Sequence, residues 1–141
     1  MRLIVVDASI LFSFFKPESF TRNLLKSVYI KGAKFIVPDF ALDELYSLRQ
    51  KICKFCGIGG LEFIISFALL SEIIEVVPRA EFKNFESKAL KLLPKHTKDM
   101  PYFALALSSD CAIWSNEKRF KGQSDIKIFS TDEIKKLFDI E

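Results

Sequence analysis

Short aliphatic runs recur along the chain and alternate with longer stretches whose apolar residues return every third or fourth position. Leu3 to Val6 is an uninterrupted run of the kind found in strands covered on both faces. Phe35 to Val37, ended by Pro38, and Ile73 to Val77, ended by Pro78, read as strands, as do Ala112 to Ser115 and Ile126 to Phe129. Between them the spacing predicts helices. The first runs over 10–15, with Ser9 as its cap and Pro17 as its stop. The second runs over 20–31, with Leu24, Leu25 and Val28 on one face and Gly32 closing it. A third covers 40–55 and is broken by Gly57-Ile58-Gly59-Gly60. Residues 61–71 are apolar on nearly every side, which predicts a deeply buried helix or half of an interface. Residues 82–93 are amphipathic and end at Pro94, and 99–109 tolerate Pro101 in the first turn. The last helix, 131–138, begins at Thr131 with Asp132 and Glu133 in its first turn. Strands alternating with helices, without repeat or linker, predict one domain over 1–141. Its class is α/β, a three-layer α/β/α sandwich with a mainly parallel sheet.

Composition adds limits. A chain of 141 residues, half of them hydrophobic and 15 of them Phe, can bury one sizeable core. Charged residues at 28% argue against disorder. The net charge of +3 suits a nucleic-acid partner without requiring one. The apolar run before Asp7 is too short for a signal peptide, and Phe63 to Leu70, flanked by Glu62 and Glu72, is too short for a membrane span. A soluble, cytoplasmic protein with no membrane association is expected. Three cysteines make a disulfide framework a poor reading. Cys53 and Cys56 form C-x-x-C, but only Cys111 and His96 remain as further zinc ligands, without a second paired spacing. The pair falls at a helix end rather than a helix start, where a redox pair belongs, so structural thiols are expected.

Four acids stand where hydrophobic stretches meet polar ones: Asp7, Glu44, Asp99 and Glu117. In an open α/β sheet, ligands gather at the carboxyl ends of the strands. Carboxylates collected there repel one another unless a cation holds them, which points to a divalent metal site. Each acid has a plainer reading. Asp7 can cap the helix that follows, although Ser9 is the better placed cap. Glu44 shares the apolar stripe of Ala41, Leu45, Leu48 and Ile52, where a carboxylate needs a partner, or else reaches water as a boundary residue. Asp39 is a rival ligand that serves more readily as a cap. Asp99 can cap its helix and still ligate, because one carboxylate has several acceptor sites. Glu117 can be a surface acid favoured by a helix dipole.

The motifs V-V-D-A-S at the first strand, Glu44 after the second, K-D-M-P-Y-F-A-L-A-L and I-W-S-N-E-K-R-F together resemble the PIN-domain nucleases, which include VapC-type toxins. The likeness runs over nearly the whole chain. It implies a parallel sheet flanked by helices, an acidic pocket for Mg²⁺ or Mn²⁺, and hydrolysis of RNA phosphodiesters by a toxin or an RNA-processing nuclease. Asp7, Glu44 and Asp99 match the family's regular acids, and Ser9 and Ser115 match small polar positions that support the pocket. Glu117 stands where the family usually has Asp, a departure that bears on any second metal. Lys98, Lys118 and Arg119 are candidates to hold substrate, with Lys95 and Lys16 near them and Trp114 or Tyr102 as stacking platforms. The single His96 excludes a two-histidine, metal-independent ribonuclease.

Two further readings compete. One is a catalytically weakened PIN-like module that binds RNA or protein. The other is a phosphoacceptor resembling a receiver domain, which expects an early acidic pair where only Asp7 is present. The apolar 61–70 segment suggests a homodimer, and the resemblance allows an antitoxin partner.

Overall fold

Ile4, Val5 and Val6 are fully buried, as a run without polar positions requires, and they place the first strand at the middle of the sheet. The computed structural model describes residues 2–141. In chain order its elements are β1 (Leu3–Val6), α1 (Ala8–Ser13), α2 (Phe20–Ile30), β2 (Lys34–Pro38), α3 (Ala41–Ser47), α4 (Arg49–Cys56), α5 (Gly60–Ile73) and β3 (Ile74–Val77). They continue as α6 (Glu86–Leu92), α7 (Met100–Ser109), β4 (Ala112–Trp114), β5 (Ile128–Phe129) and α8 (Thr131–Leu137).

The five strands form one sheet in the order β3-β2-β1-β4-β5, and every pairing is parallel. The chain builds outward from β1 through β2 to β3, then returns to lay β4 and β5 on the other side. The reversal falls between β1 and β4, so the ligand-binding crevice of this topology opens at their carboxyl ends. Ile4 pairs with Ala112, Val5 with Ile113 and Val6 with Trp114. That register sets Asp7 and Ser115 side by side just beyond the last paired residues. The α/β/α class expected from the sequence is the class observed, with a sheet that is parallel throughout.

Helix α7 is buried from Tyr102 through Ala106. Its first residues lie at the same sheet edge as Asp7. Phenylalanines fill the rest of the core: Phe15 stacks on Phe63 with ring centroids 4.8 Å apart, and Phe103 meets Phe120 edge-on at 4.9 Å.

Several boundaries differ from those the pattern predicts, each for a local reason. Helix α1 starts at Ala8, and Asp7, not Ser9, occupies the N-cap position, although its carboxylate makes no capping bond. The single helix expected over 40–55 divides at Leu48. There Ser47 Oγ donates to the Glu44 carbonyl at 2.7 Å, and the Leu48 amide divides between the carbonyls of Glu44 and Leu45. Hydroxyl back-bonding of this kind bends helices. Residues 79–85 make short turns of 3-10 helix ahead of α6 instead of joining it. Ile126 stays outside β5, held by both ends of the Gln123 amide. Ser130, not Thr131, caps α8 in a reciprocal pair with Glu133. Helix α5 is not deeply buried: Phe63, Ser66, Leu70 and Ile73 face inward, while Leu61, Ile64 and Ile65 are each more than half exposed.

No single helix among the described residues is long and apolar enough to cross a membrane. All three cysteines are free thiols, and burial pushes the Cys111 thiol up to about 11. The C-x-x-C pair lies at the end of α4, closed by Gly57 in the left-handed conformation at φ 68°.

Candidate functional site

Asp7 follows β1 directly and is buried, with 5% of its surface exposed. Its amide donates to the Trp114 carbonyl at 3.1 Å, which extends the β1–β4 ladder by one rung and fixes the backbone. Two hydroxyls converge on one carboxylate oxygen: Ser9 Oγ from the first turn of α1 and Ser115 Oγ from the end of β4 each donate to Oδ2 at 2.8 Å. The other oxygen, Oδ1, has no protein donor among the described residues. No fully buried side-chain oxygen lacks a partner there, so Oδ1 reaches solvent. No basic side chain among the described residues pairs with Asp7.

A cleft of about 430 Å³ opens over this oxygen, lined by Asp7, Ala8, Ser9, Asp99, Asn116, Glu117, Arg119 and Phe120. Asp99 enters from the residue ahead of α7, where it makes no capping bond with its side chain. Its pKa is raised, first by burial and then by the negative charge of Asp7, with a smaller push from Glu117. His96 and Arg119 offset part of that shift. Glu117 is reached through the β4 turn: its amide donates to Ser115 Oγ at 3.0 Å, so one hydroxyl ties the Glu117 backbone to the Asp7 carboxylate.

The Glu117 side chain turns toward Arg119. Arg119 Nε donates to Oε1 at 2.8 Å, Nη2 to Oε2 at 3.0 Å, and the Arg119 amide to Oε1 at 3.2 Å. This grip holds the Glu117 carboxyl down at about 2. Arg119 Nη1 also lies 3.1 Å and 3.3 Å from the two ring nitrogens of His96.

Glu44 does not line the cleft and does not face the core as its place in the apolar stripe predicts. It is exposed at the edge of the stripe, while Ala41 and Leu45 of the same helix are buried. Its charge nonetheless reaches the buried Tyr102 hydroxyl. Tyr102 is pushed well above the usual phenol range by burial and then by Asp7, Glu44 and Asp99. The three acids therefore act electrostatically on one side chain. Among the described residues no three acidic, histidine or cysteine side chains stand close enough to enclose an ion without rearrangement. Asp7, Asp99 and Glu117 meet in one cleft, with Glu117 turned aside and Glu44 at a distance.

The donor set fits a hard divalent cation. It is all oxygen, one oxygen of the Asp7 carboxylate has no protein donor among the described residues and opens to the cleft, and the neighbouring acids repel one another.

The basic candidates are mixed. Lys98 and Lys118 are exposed beside Asp99 and Glu117, whereas Arg119 is committed to Glu117. Trp114 and Tyr102 are buried and cannot stack on a base: Trp114 donates its Nε1 to Thr131 Oγ1 at 3.1 Å, and Tyr102 is 3% exposed. Asp39 does not cap α3; it accepts from the Arg79 amide at 3.1 Å. Sequence reasoning missed Asn116 in the cleft wall, where its Oδ1 also accepts from the Thr131 amide at 2.8 Å. Its position between Ser115 and Glu117 was the available signal. The Arg119–His96 contact joins separate loops, and no local pattern announces it.

Compared with known families, residues 5–138 match the model of the PIN domain. Comparison with curated proteins finds no relative. Among solved structures, the chain is similar to VapBC2 from Rickettsia felis, bound to a DNA fragment from their promoter. The TM-score is 0.68 and the identity 12%, over 91% of this chain and 98% of that one. It is also similar to VapC20 of Mycobacterium tuberculosis, a sarcin–ricin-loop-cleaving toxin. There the TM-score is 0.56 and the identity 16%, over 88% and 98% of the two chains.

Proposed function

The chain belongs to the PIN-domain family, and on that premise we propose that it is a metal-dependent endoribonuclease, the toxin of a toxin–antitoxin pair or an RNA-processing enzyme. Asp7 carries the reading. It is a buried carboxylate at the topological switch point, held by two serines on one oxygen and open on the other. An acid placed for stability alone gains nothing from an unpartnered oxygen in a cleft.

A bound Mg²⁺ or Mn²⁺ supplies Lewis-acid polarisation of the phosphate and a water of lowered pKa. The chain does the remaining work. Asp7 and Asp99 hold the cation, with Glu117 available from the β4 turn. Ser9 and Ser115 lock the Asp7 rotamer. Glu44 stands outside the cleft and adds only negative charge on the Tyr102 side. Lys98 and Lys118 hold the RNA backbone as point charges, and Arg119 serves the same phosphates once free of Glu117. The likeness to VapBC2 supports an antitoxin partner, and the exposed apolar face of α5 supports a homodimer.

The test is cleavage of single-stranded RNA with and without Mn²⁺, comparing the wild type with Asp7→Asn. Mn²⁺-dependent cutting should fall by about a hundredfold or more in the variant, the scale of losing an electrostatic group at the reacting centre. Cutting that survives Asp7→Asn unchanged would contradict the proposal. RNA binding without any Mn²⁺-dependent cutting would favour the second reading, a binding module, which the Arg119 grip on Glu117 makes reasonable.

A further inference from the structure

We infer that Arg119 is an internal counter-ion for Glu117, and that a divalent ion recruits Glu117 in exchange with the Arg119 guanidinium. This deepens the metal-site reading above and rests on it. Both oxygens of Glu117 are taken: Nε and Nη2 of Arg119 grip Oε1 and Oε2 at 2.8 Å and 3.0 Å. With the Arg119 amide also on Oε1, three donors hold this carboxylate and the guanidinium neutralises its charge, so a cation meets a single remaining acceptor site on Oε2 and little net charge until the fork opens. This explains how an acid can line the cleft while no three acids stand close enough to enclose an ion.

The contact is built to open. Glu117 and Arg119 are two residues apart, so breaking their contact requires only side-chain rotation. The Glu117 backbone stays tied to Ser115 and through it to Asp7. Arg119 is exposed, with 56% of its side chain accessible, so the released guanidinium is solvated at little cost. Its Nη1 lies against His96, which keeps it at the rim of the cleft on the Asp99 side. The extra methylene of Glu over Asp gives the carboxylate reach for two positions, one on the arginine and one toward Asp7.

Lysine separates the fork from the charge, because it keeps the positive charge but cannot grip both oxygens. Mn²⁺ binding, read from the free-ion EPR signal, is measured on the intact chain for the wild type, Arg119→Lys, Glu117→Gln, the double variant and Asp7→Asn. Arg119→Lys should bind Mn²⁺ roughly threefold to fivefold tighter than the wild type, the scale of one exposed bidentate pair. In the Glu117→Gln background the same change should shift affinity by less than about twofold, because no carboxylate remains to release. Arg119→Lys without tightening, or tightening that persists in the Glu117→Gln background, overturns the exchange. If binding depends on Asp7 while Arg119→Lys has no effect, only the exchange fails. If the wild type shows no Asp7-dependent Mn²⁺ binding, the metal-site reading fails with it.

Discussion

Asp99 shows what a cation site costs the protein that keeps it. Burial and the facing charge of Asp7 raise its pKa, so the folded chain holds this proton to higher pH than the unfolded chain does. The sign follows from linkage. The folded state binds the extra proton, so stability falls as pH rises through the folded pKa, and at neutral pH the ionised Asp99 opposes folding. Asp99→Asn should therefore raise the melting temperature at pH 7. The gain should shrink as pH falls through the raised folded pKa toward the ordinary Asp value of 3.8, below which both states are protonated and it is gone. Added Mn²⁺ should raise the melting temperature of the wild type and leave the variant nearly unmoved. A variant less stable than the wild type at pH 7 would mean that Asp99 is a structural acid. Asp7 and Asp99 were legible as residues because one follows and the other precedes a hydrophobic run, and Ser115 through the family resemblance. The state of Glu117 was not, since its acidity to about 2 comes from Arg119 side-chain geometry that spacing does not encode.

Among the elements, α4 and α5 are joined by the turn through Gly57 and Gly60, and the two glycines differ in what they do. Gly57 closes α4 at φ 68°, where an L side chain is strained even though nothing lies within 4 Å. Gly60 is the first residue of α5, with open space where a Cβ would stand. Gly57→Ala should cost about 1 kcal/mol in urea unfolding, while Gly60→Ala should be neutral or slightly stabilising. Equal effects would show that the turn is not held by backbone conformation. The same region marks where the pattern misleads. Apolar residues at helical spacing run through Leu48 without interruption, so a single helix is the natural reading. A serine hydroxyl bonded to Glu44's carbonyl marks where it divides. The break was unreadable because any serine in a helix can make that bond, and only packing decides which one bends the chain. The central strand β1 and the Phe35–Val37 core of β2 were legible for the opposite reason: covered on both faces, they need unbroken aliphatic runs, whereas β3, interrupted by the exposed Glu75, was marked by Pro78 at its end.

For the molecule as a whole, the topology does most of the functional work. Returning the chain to the other side of β1 places Asp7 beside Ser115, and α7 then delivers Asp99 to the same edge. This convergence could be anticipated from alternating strands and helices, because a parallel sheet leaves one edge for all strand ends. The outer surface was only half readable. Residues 61–71 are apolar all round, and the structure leaves Leu61, Ile64 and Ile65 exposed on one face of α5. If that face is the seam of the proposed homodimer, light scattering should give twice the chain mass at micromolar concentration. Ile64→Glu should then halve that mass without lowering the helix content, because it places a like charge against its symmetry mate. A wild type that is monomeric at high concentration would exclude the seam.

Anomalous diffraction from a crystal soaked in Mn²⁺ tests the central claim most directly, since it locates the ion without reference to activity. A peak should appear within coordination distance of the Asp7 oxygen left free by the two serines, with Asp99 as a second ligand, and it should vanish in Asp7→Asn. An anomalous map with no peak at this cleft, or one unchanged by that substitution, would contradict the account.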